Sequence, residues 1–118
     1  MLLWAAEGRL ATAARRAIEE TAEEVLVSSA TVWEIEIKRA LGRIRAPEGV
    51  AELVDESGFE RLAIGFEHAR EAGRLPPHHG DPFDRVLVAQ ARVERLTLAT
   101  GDERIRRYDV PVLDVARG

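Results

Sequence analysis

Short runs of β-forming residues alternate with helical segments along this chain, and this alternation is the feature that most limits its fold. Strands are predicted at Val25–Val27, 59–64, Thr97–Thr100 and Val112–Leu113. Helices are predicted over 11–24, 31–41, 48–56, 67–73 and 81–95, with a short helical turn after Asp102. The alternation predicts a single α/β domain over 1–118, with a central, mostly parallel sheet flanked by helices in three layers.

The amino-terminal end departs from this pattern. Leu2–Ala6 is apolar and uncapped, is predicted to be helical, and follows no residues that could form a strand. A doubly wound sheet usually begins with a strand at its centre. The sequence therefore predicts a sheet whose first strand is missing.

The composition excludes several classes of protein. The 118 residues include no cysteine, which removes thiolate metal sites, cysteine nucleophiles and disulfide frameworks. The longest apolar runs are far shorter than the ~20 residues of a membrane span, and Met1 opens no signal peptide, so we expect a cytoplasmic protein without membrane contact. The net charge is −4, so contact with nucleic acid has to be local. The chain also lacks P-loop, G-x-G-x-x-G and G-x-S-x-G motifs.

Three acidic residues stand where helices begin. Glu34 follows Thr31 in a T-x-x-E capping box, Asp84 follows the predicted N-cap Asp81 and a proline, and Asp102 begins the turn after the third predicted strand. Each of them alone fits a helix cap, which contributes about 0.3–1 kcal/mol. In a parallel sheet, however, strand ends and helix beginnings share one edge, so the acids Glu34, Asp84 and Asp102 are predicted to gather at one crevice.

Carboxylates gathered at close range repel one another and need a cation between them. Oxygen ligands without cysteine suit Mg²⁺ or Mn²⁺, and many nucleases use ions held in this way. The three histidines do not favour zinc, because His78 and His79 are adjacent and His68 lies on a separate helix. We predict that they are loop or surface residues.

A basic stretch continues from the helix that carries the first acid. Lys38, Arg39 and Arg43 are predicted either to stabilise the carboxyl end of that helix or to contact RNA phosphates. Arg85 lies next to Asp84 and is predicted to form a surface salt bridge, or to position an acid or a phosphate.

The motifs S-x-x-T-x-W-E-I-x-I-K, L-G-R-I, L-P-x-H-H-x-D-P-F-D-R-x-L-x-A-Q-A and L-T-L-x-T-x-D run from Ser28 to Asp102. Together they resemble the PIN-domain ribonucleases, specifically the VapC-type toxins of bacterial toxin–antitoxin pairs. The resemblance as a whole extends from Met1 to about Leu113. The resemblance implies a PIN-like fold and a Mg²⁺-dependent endoribonuclease that hydrolyses RNA with metal-activated water. It also implies a cognate antitoxin protein as partner and, often, a homodimer.

The resemblance further implies roles for individual residues. The metal ligands and catalytic residues are Glu34, Asp84 and Asp102, with Asp81 as a further acid or a helix cap, and Ser28 and Thr100 supply hydroxyls beside them. The antitoxin is expected to insert an arginine into the acidic crevice and to be gripped by the helices at 11–24 and 31–44. Trp4 and Trp33 are predicted to lie in the core rather than on the antitoxin-binding surface that these two helices form.

Members of this family normally begin with an apolar strand ending in D-T-H, followed by one residue and then Leu-Leu-Trp. This chain starts at Met1 inside that motif, without the strand or its aspartate. We hypothesise a start placed too late, with the missing strand encoded upstream in frame. The alternatives are a truncated PIN fold that docks an antitoxin without cleaving RNA, and a PIN nuclease of RNA processing with no toxin role.

Overall fold

The computed structural model describes residues 2–3, 25–43, 49–56, 58–76, 81–100, 108 and 110–114. Within them the strands are β1 (Leu2–Leu3), β2 (Leu26–Ser28), β3 (Glu60–Leu62), β4 (Leu98–Thr100) and β5 (Val112–Asp114). The helices are α1 (Ser29–Ala40), α2 (Val50–Glu56), α3 (Phe66–Arg74) and α4 (Pro82–Glu94). The predicted alternation of strands and helices is confirmed from β2 to β5.

The five strands form one sheet in the order β3-β2-β1-β4-β5, and all neighbouring strands are parallel. The chain runs from β1 to one edge through β2 and β3, and then crosses to the other side for β4 and β5. The direction of winding therefore reverses between β1 and β4. In open α/β sheets, ligands bind beyond the carboxyl ends of the strands at such a reversal. The predicted α/β class is confirmed, and the reversal predicts a ligand site beyond the carboxyl ends of β1 and β4.

The amino-terminal residues contradict two predictions. Leu2 and Leu3 form a strand rather than the start of a helix, and they occupy the centre of the sheet, where a gap was predicted. Leu3 lies opposite Val27 on one side and Ala99 on the other. The conformation of so short a segment depends on its neighbours more than on local preference, and two flanking parallel strands favour the extended form. Trp4 and the helices predicted over 11–24 and after Asp102 lie outside the described residues.

Helix α1 begins two residues earlier than predicted. Ser28 is its N-cap, and the Ser28 Oγ accepts a hydrogen bond from the backbone N–H of Ala30 at 3.0 Å. Thr31 therefore lies inside the helix, and the predicted capping box is wrong. Both hydroxyls fit a cap signal in the sequence. The pairing of Ser28 with Leu62 of β3 decides between them, because it fixes where β2 ends.

Helix α4 supplies much of the described core. Leu87, Val88 and Ala91 are completely or almost completely buried, and their spacing of one and four residues places them on one helical face. Leu98 of β4 is buried in the same cluster, and α3 packs along α4. None of the helices within the described ranges has the length and apolar character needed to cross a bilayer.

Candidate active site

Two helices begin at the carboxyl edge of the sheet. Helix α1 follows β2 with no loop between them. Helix α4 ends at Glu94, shortly before β4 begins at Leu98, so its carboxyl end lies near the start of β4 and its first turn lies towards the opposite edge. The first turns of both helices are therefore near the carboxyl ends of the strands. They carry two of the three predicted acids.

An aromatic contact joins these two helical turns. The rings of Trp33 on α1 and Phe83 on α4 meet edge to face, with their centroids 5.1 Å apart. Glu34 and Asp84 are the next residues along the two helices. The structure therefore brings the helical turns that carry the first two predicted acids to one α1–α4 junction, whereas Asp102 lies outside the described residues.

Both acidic side chains at this junction are buried. Glu34 is 5 % exposed and Asp84 is 2 % exposed. Burial of a carboxylate is unfavourable unless opposite charge or hydrogen bonds compensate for the lost water. The Lys38 Nζ lies 3.4 Å from the Glu34 Oε2, and Asp84 lies in the first turn of α4, at the positive end of the helix dipole. The junction is thus an acidic centre built into the protein rather than a solvated acidic surface.

Asp81 caps the helix that carries Asp84, as the sequence predicts. The Asp81 Oδ1 accepts hydrogen bonds from the backbone N–H of Phe83 at 2.8 Å and of Asp84 at 3.4 Å. Pro82 occupies the first helical turn, where its missing N–H costs nothing. Asp81 therefore fixes the start of α4, and with it the position of the buried carboxylate.

The complete metal site proposed from the sequence is not tested by these residues. Within the part of the chain that the structure describes, no three acidic or histidine side chains are grouped so that they could hold a metal ion. The predicted ligand Asp102 and the side chain of Thr100 lie outside that part. The backbone of Thr100 ends β4 opposite Asp114. Ser28, predicted beside the ligands, is fully buried and caps α1.

The burial of two polar side chains was not predicted from the sequence, which assigned Thr31 only as a helix cap. Thr31 is fully buried one helical turn before Glu34, and its Oγ1 makes no hydrogen bond to any described residue. Gln90 is fully buried on α4, and its Nε2 donates to the carbonyl of Ala63 at 3.3 Å. A polar residue within an apolar helical segment, such as the glutamine in V-L-V-A-Q-A, was the available signal for Gln90.

Arg85 has a different role from the one predicted. Its guanidinium donates to the carbonyls of Ala72 (2.8 Å), Leu75 (3.0 Å) and Pro76 (3.1 Å), and it also contacts the Tyr108 hydroxyl. These acceptors lie at the carboxyl end of α3, where backbone carbonyls lack helical partners. Arg85 therefore joins the end of α3 to the start of α4 instead of forming a surface salt bridge or holding a phosphate.

The predicted basic stretch is partly neutralised by its own helix. Lys38 pairs with Glu34, and the Arg39 Nη2 lies 3.1 Å from the Glu36 Oε2. Both cations lie in the last turn of α1, where they also favour the carboxyl end of the helix dipole. Arg43 is exposed beyond the end of the helix. The observed ion pairs fit the structural alternative for Lys38 and Arg39.

The prediction that His68 is a loop or surface residue is wrong, while His78 and His79 lie outside the described residues. His68 is 6 % exposed. Its Nδ1 accepts from the backbone N–H of Gly65 at 2.9 Å, at the start of α3, so its Nε2 carries the proton that is donated to the Glu94 Oε2 at 2.8 Å. His68 thus fastens the start of α3 to the end of α4.

The prediction that Trp33 lies in the core is also wrong, because this side chain is 59 % exposed. Near it, Arg61 pairs with Asp55 through two hydrogen bonds of 2.9 and 2.6 Å. This ion pair holds the pKa of the Asp55 carboxyl below its ordinary value of 3.8 and raises that of Arg61. An exposed indole and an ion-paired guanidinium therefore line the same part of the surface.

Comparison with known protein families gives one result. The family model described as "PIN domain" matches residues 1–111, which is most of the chain. Comparison with curated proteins gives no match.

Proposed function

The chain belongs to the PIN domain family, whose members are generally metal-dependent nucleases, and on this premise we propose that it is a Mg²⁺-dependent endoribonuclease. We further propose that it is the toxin of a toxin–antitoxin pair. The observation that carries the nuclease proposal is the pair of buried carboxylates, Glu34 and Asp84, at one helix junction beside the carboxyl edge of the sheet. A parallel α/β sheet binds its ligands at this edge.

The chemistry of the donors fits a hard divalent ion. The acidic centre offers carboxylate oxygens and the chain has no cysteine, so Mg²⁺ or Mn²⁺ suits it better than a softer metal. Glu34 and Asp84 would hold the ion, with Asp102 as the proposed third ligand. Such an ion, when bound, lowers the pKa of a water molecule and offsets the negative charge that develops on the phosphate.

The other residues of the site position these carboxylates. Asp81 caps α4 and fixes Asp84, and because its Oδ1 accepts two backbone amides we assign it as a cap rather than a principal ligand. Ser28 fixes the start of the helix that carries Glu34. Lys38 balances part of the charge of Glu34 in the absence of the ion. We propose that the Thr100 hydroxyl completes this environment at the end of β4.

Contact with the RNA backbone is proposed for Lys38, Arg39 and Arg43. Arg43 is the strongest candidate of the three, because it is exposed and lies beyond the helix, whereas the other two are engaged with acids of α1. Contacts of this kind position the strand and carry no sequence information. Substitution of Arg43 is therefore expected to weaken binding to all RNA sequences alike.

The remaining proposals concern partners and location. The acidic centre is complementary to an arginine side chain, so a cognate antitoxin that inserts an arginine there would compete with the metal. A homodimer and a cytoplasmic location complete the toxin proposal. A PIN fold that binds the antitoxin without cleaving RNA is the alternative to the nuclease.

A cleavage assay with matched variants tests the proposal. Purified protein is incubated with single-stranded RNA and Mg²⁺, with EDTA as the metal-free control. Glu34→Gln and Asp84→Asn keep the side-chain shape and remove the charge, and each is expected to slow cleavage by at least about a hundredfold, as the loss of one group that stabilises transition-state charge usually does. Glu36→Gln is the control on the same helix, since this side chain is 41 % exposed and lies outside the junction.

The outcomes separate the nuclease from its alternative. Cleavage that needs Mg²⁺ and is lost with Glu34→Gln but not with Glu36→Gln supports the proposal. Cleavage that survives in both Glu34→Gln and Asp84→Asn removes the assigned site. Absence of cleavage by the unaltered protein, together with stable binding of the antitoxin encoded beside it, would favour the binding module.

A further inference from the structure

A groove with mostly apolar walls opens beside the acidic centre. It encloses about 330 Å³, and its walls come from β2, α1, α2 and the end of β3, including Val27, Val32, Trp33, Ala51, Val54 and Arg61. Sites for small ligands commonly span about 300–1,000 Å³ and combine apolar walls with a few polar groups. The groove has the size and the character of such a site.

Trp33 connects this groove to the buried acids. Its indole lines the groove, is 59 % exposed, and meets Phe83 edge to face. Glu34 and Asp84 are the next residues after Trp33 and Phe83. A group bound in the groove would therefore lie beside the helix junction that carries both carboxylates.

Arg61 gives the groove a planar, charged wall. Asp55 holds its guanidinium through Nε and Nη2, which fixes the plane of the group and leaves Nη1 outside this ion pair. A guanidinium held in one plane is suited to stacking and to hydrogen bonding at the edge of a flat ligand. The groove thus offers two flat surfaces, an indole and a guanidinium, within walls that are otherwise aliphatic apart from Ser29.

We infer that this groove binds one unpaired base of an RNA strand, stacked on Trp33, while the sugar–phosphate backbone passes over the acidic centre. The identity of the ligand rests on the proposed nuclease function. Proteins read single-stranded RNA mainly by stacking unpaired bases on aromatic side chains and arginines, and by contacts to the base edges. Because Asp55 already pairs with Arg61 and most of the other walls are apolar, the groove suits a base better than a phosphate. The groove is therefore the part of the surface that selects the nucleotide next to the cleaved bond.

An apolar side chain from a protein partner would fill the same volume. The base is favoured because the groove presents flat groups rather than a purely aliphatic surface, and because it adjoins the carboxylates through Trp33. The experiment has to separate these two occupants.

Binding is measured without cleavage, in the Glu34→Gln protein with no divalent ion, by fluorescence anisotropy. The probes are fluorescein-labelled single-stranded RNA octamers of mixed sequence and octamers of the same length with abasic sites. Trp33→Leu removes the stacking surface, and Ala51→Leu, on α2, fills part of the groove. Phe66→Leu is the matched control, because this aromatic side chain is 96 % exposed and is not among the groove residues. Thermal melting of each variant checks that it is folded.

Trp33→Leu and Ala51→Leu are each expected to weaken binding of the normal octamer by about fivefold to a hundredfold, the range for loss of one stacked base. They should change the affinity for abasic RNA by less than about twofold, and Phe66→Leu should leave both affinities unchanged.

Equal affinity of the Trp33→Leu and unaltered proteins, an equal loss with Phe66→Leu, or no RNA binding at all would overturn the inference. Unchanged RNA affinity together with lost antitoxin binding in Ala51→Leu would assign the groove to a protein. Because cleavage is measured separately, RNA binding that depends on Trp33 in a protein that never cleaves would overturn the nuclease proposal and leave this inference standing.

Discussion

Asp81 offers the sharpest test of how local structure supports the acidic centre. Its Oδ1 accepts the backbone N–H groups of Phe83 and Asp84, so Asp81→Ala leaves both donors without their cap. Loss of an N-cap costs about 1 kcal/mol, and loss of a negative charge at the start of a helix adds about 0.5 kcal/mol. We therefore expect Asp81→Ala to lower the free energy of unfolding by about 1.5 kcal/mol. Asp81→Asn keeps an equally good cap and should lose only about 0.5 kcal/mol.

These differences translate into measurable shifts in melting temperature. The entropy of unfolding is about 2.1 cal/mol/K per residue, or about 250 cal/mol/K for 118 residues. The expected decrease in Tm is therefore about 6 °C for Asp81→Ala and about 2 °C for Asp81→Asn, measured by circular dichroism without divalent ions. An Asp81→Asn protein that melts as low as Asp81→Ala would refute the role of the hydrogen bonds. An Asp81→Ala protein that melts with the unaltered chain would refute the cap altogether.

The same variants separate the cap from a metal ligand. An ion that binds the folded state raises Tm according to its concentration relative to its dissociation constant. Because the Asp81 Oδ1 is already engaged, the rise in Tm caused by millimolar Mg²⁺ should be the same in Asp81→Asn and in the unaltered chain. A smaller rise in Asp81→Asn would make Asp81 a ligand and contradict its assignment as a cap alone.

Two further predictions concern other polar contacts of the fold. His68→Ala removes both the cap of α3 and the hydrogen bond to Glu94, and should cost about 2 kcal/mol in urea unfolding. His68→Gln should recover about half of this loss, because glutamine at the same helical position can accept from the same backbone N–H of Gly65. Equal losses of stability in His68→Ala and His68→Gln would show that His68 does not act as a cap. The pKa of Asp55 is held down by Arg61, so this pair stabilises the fold at pH values above about 3.8, and its contribution is lost as the pH falls through the lowered pKa. The difference in Tm between the unaltered chain and Arg61→Gln should therefore be present at pH 7 and shrink below pH 3.8. It should also shrink with added salt, because the pair is exposed. A difference in Tm that grows at low pH would contradict this role of the pair.

The elements that could be predicted from the sequence carry their signals locally. Asp81 and Pro82 specify the start of α4 within one segment, and the structure confirms that start. The proximity of the helical turns that carry Glu34 and Asp84 follows from a general rule, since helix starts in a parallel sheet share an edge. The choice between Ser28 and Thr31 as the cap of α1 depends on where β2 ends, which a neighbouring strand decides.

The predictions that failed depend on contacts between distant segments. His68 is buried against Glu94, which lies 26 residues away on another helix, and nothing near His68 in the sequence indicates that partner. Arg85 finds its acceptors at the end of α3, and Leu2–Leu3 becomes extended because two strands flank it. The role of Asp102 stays a prediction.

The helix pair α3–α4 is fastened at both ends, by His68 and Glu94 at one end and by Arg85 and the α3 carbonyls at the other, with an ion pair between Arg92 and Glu71 along its length. Asp84 therefore lies on a helix that is joined to α3 at both of its ends. The Asp84 carboxylate needs little reorganisation when a cation binds beside it, because the conformational entropy of this side chain has already been lost during folding. Preorganisation of this kind is what lets a buried dipole or charge act more strongly than the same group in water.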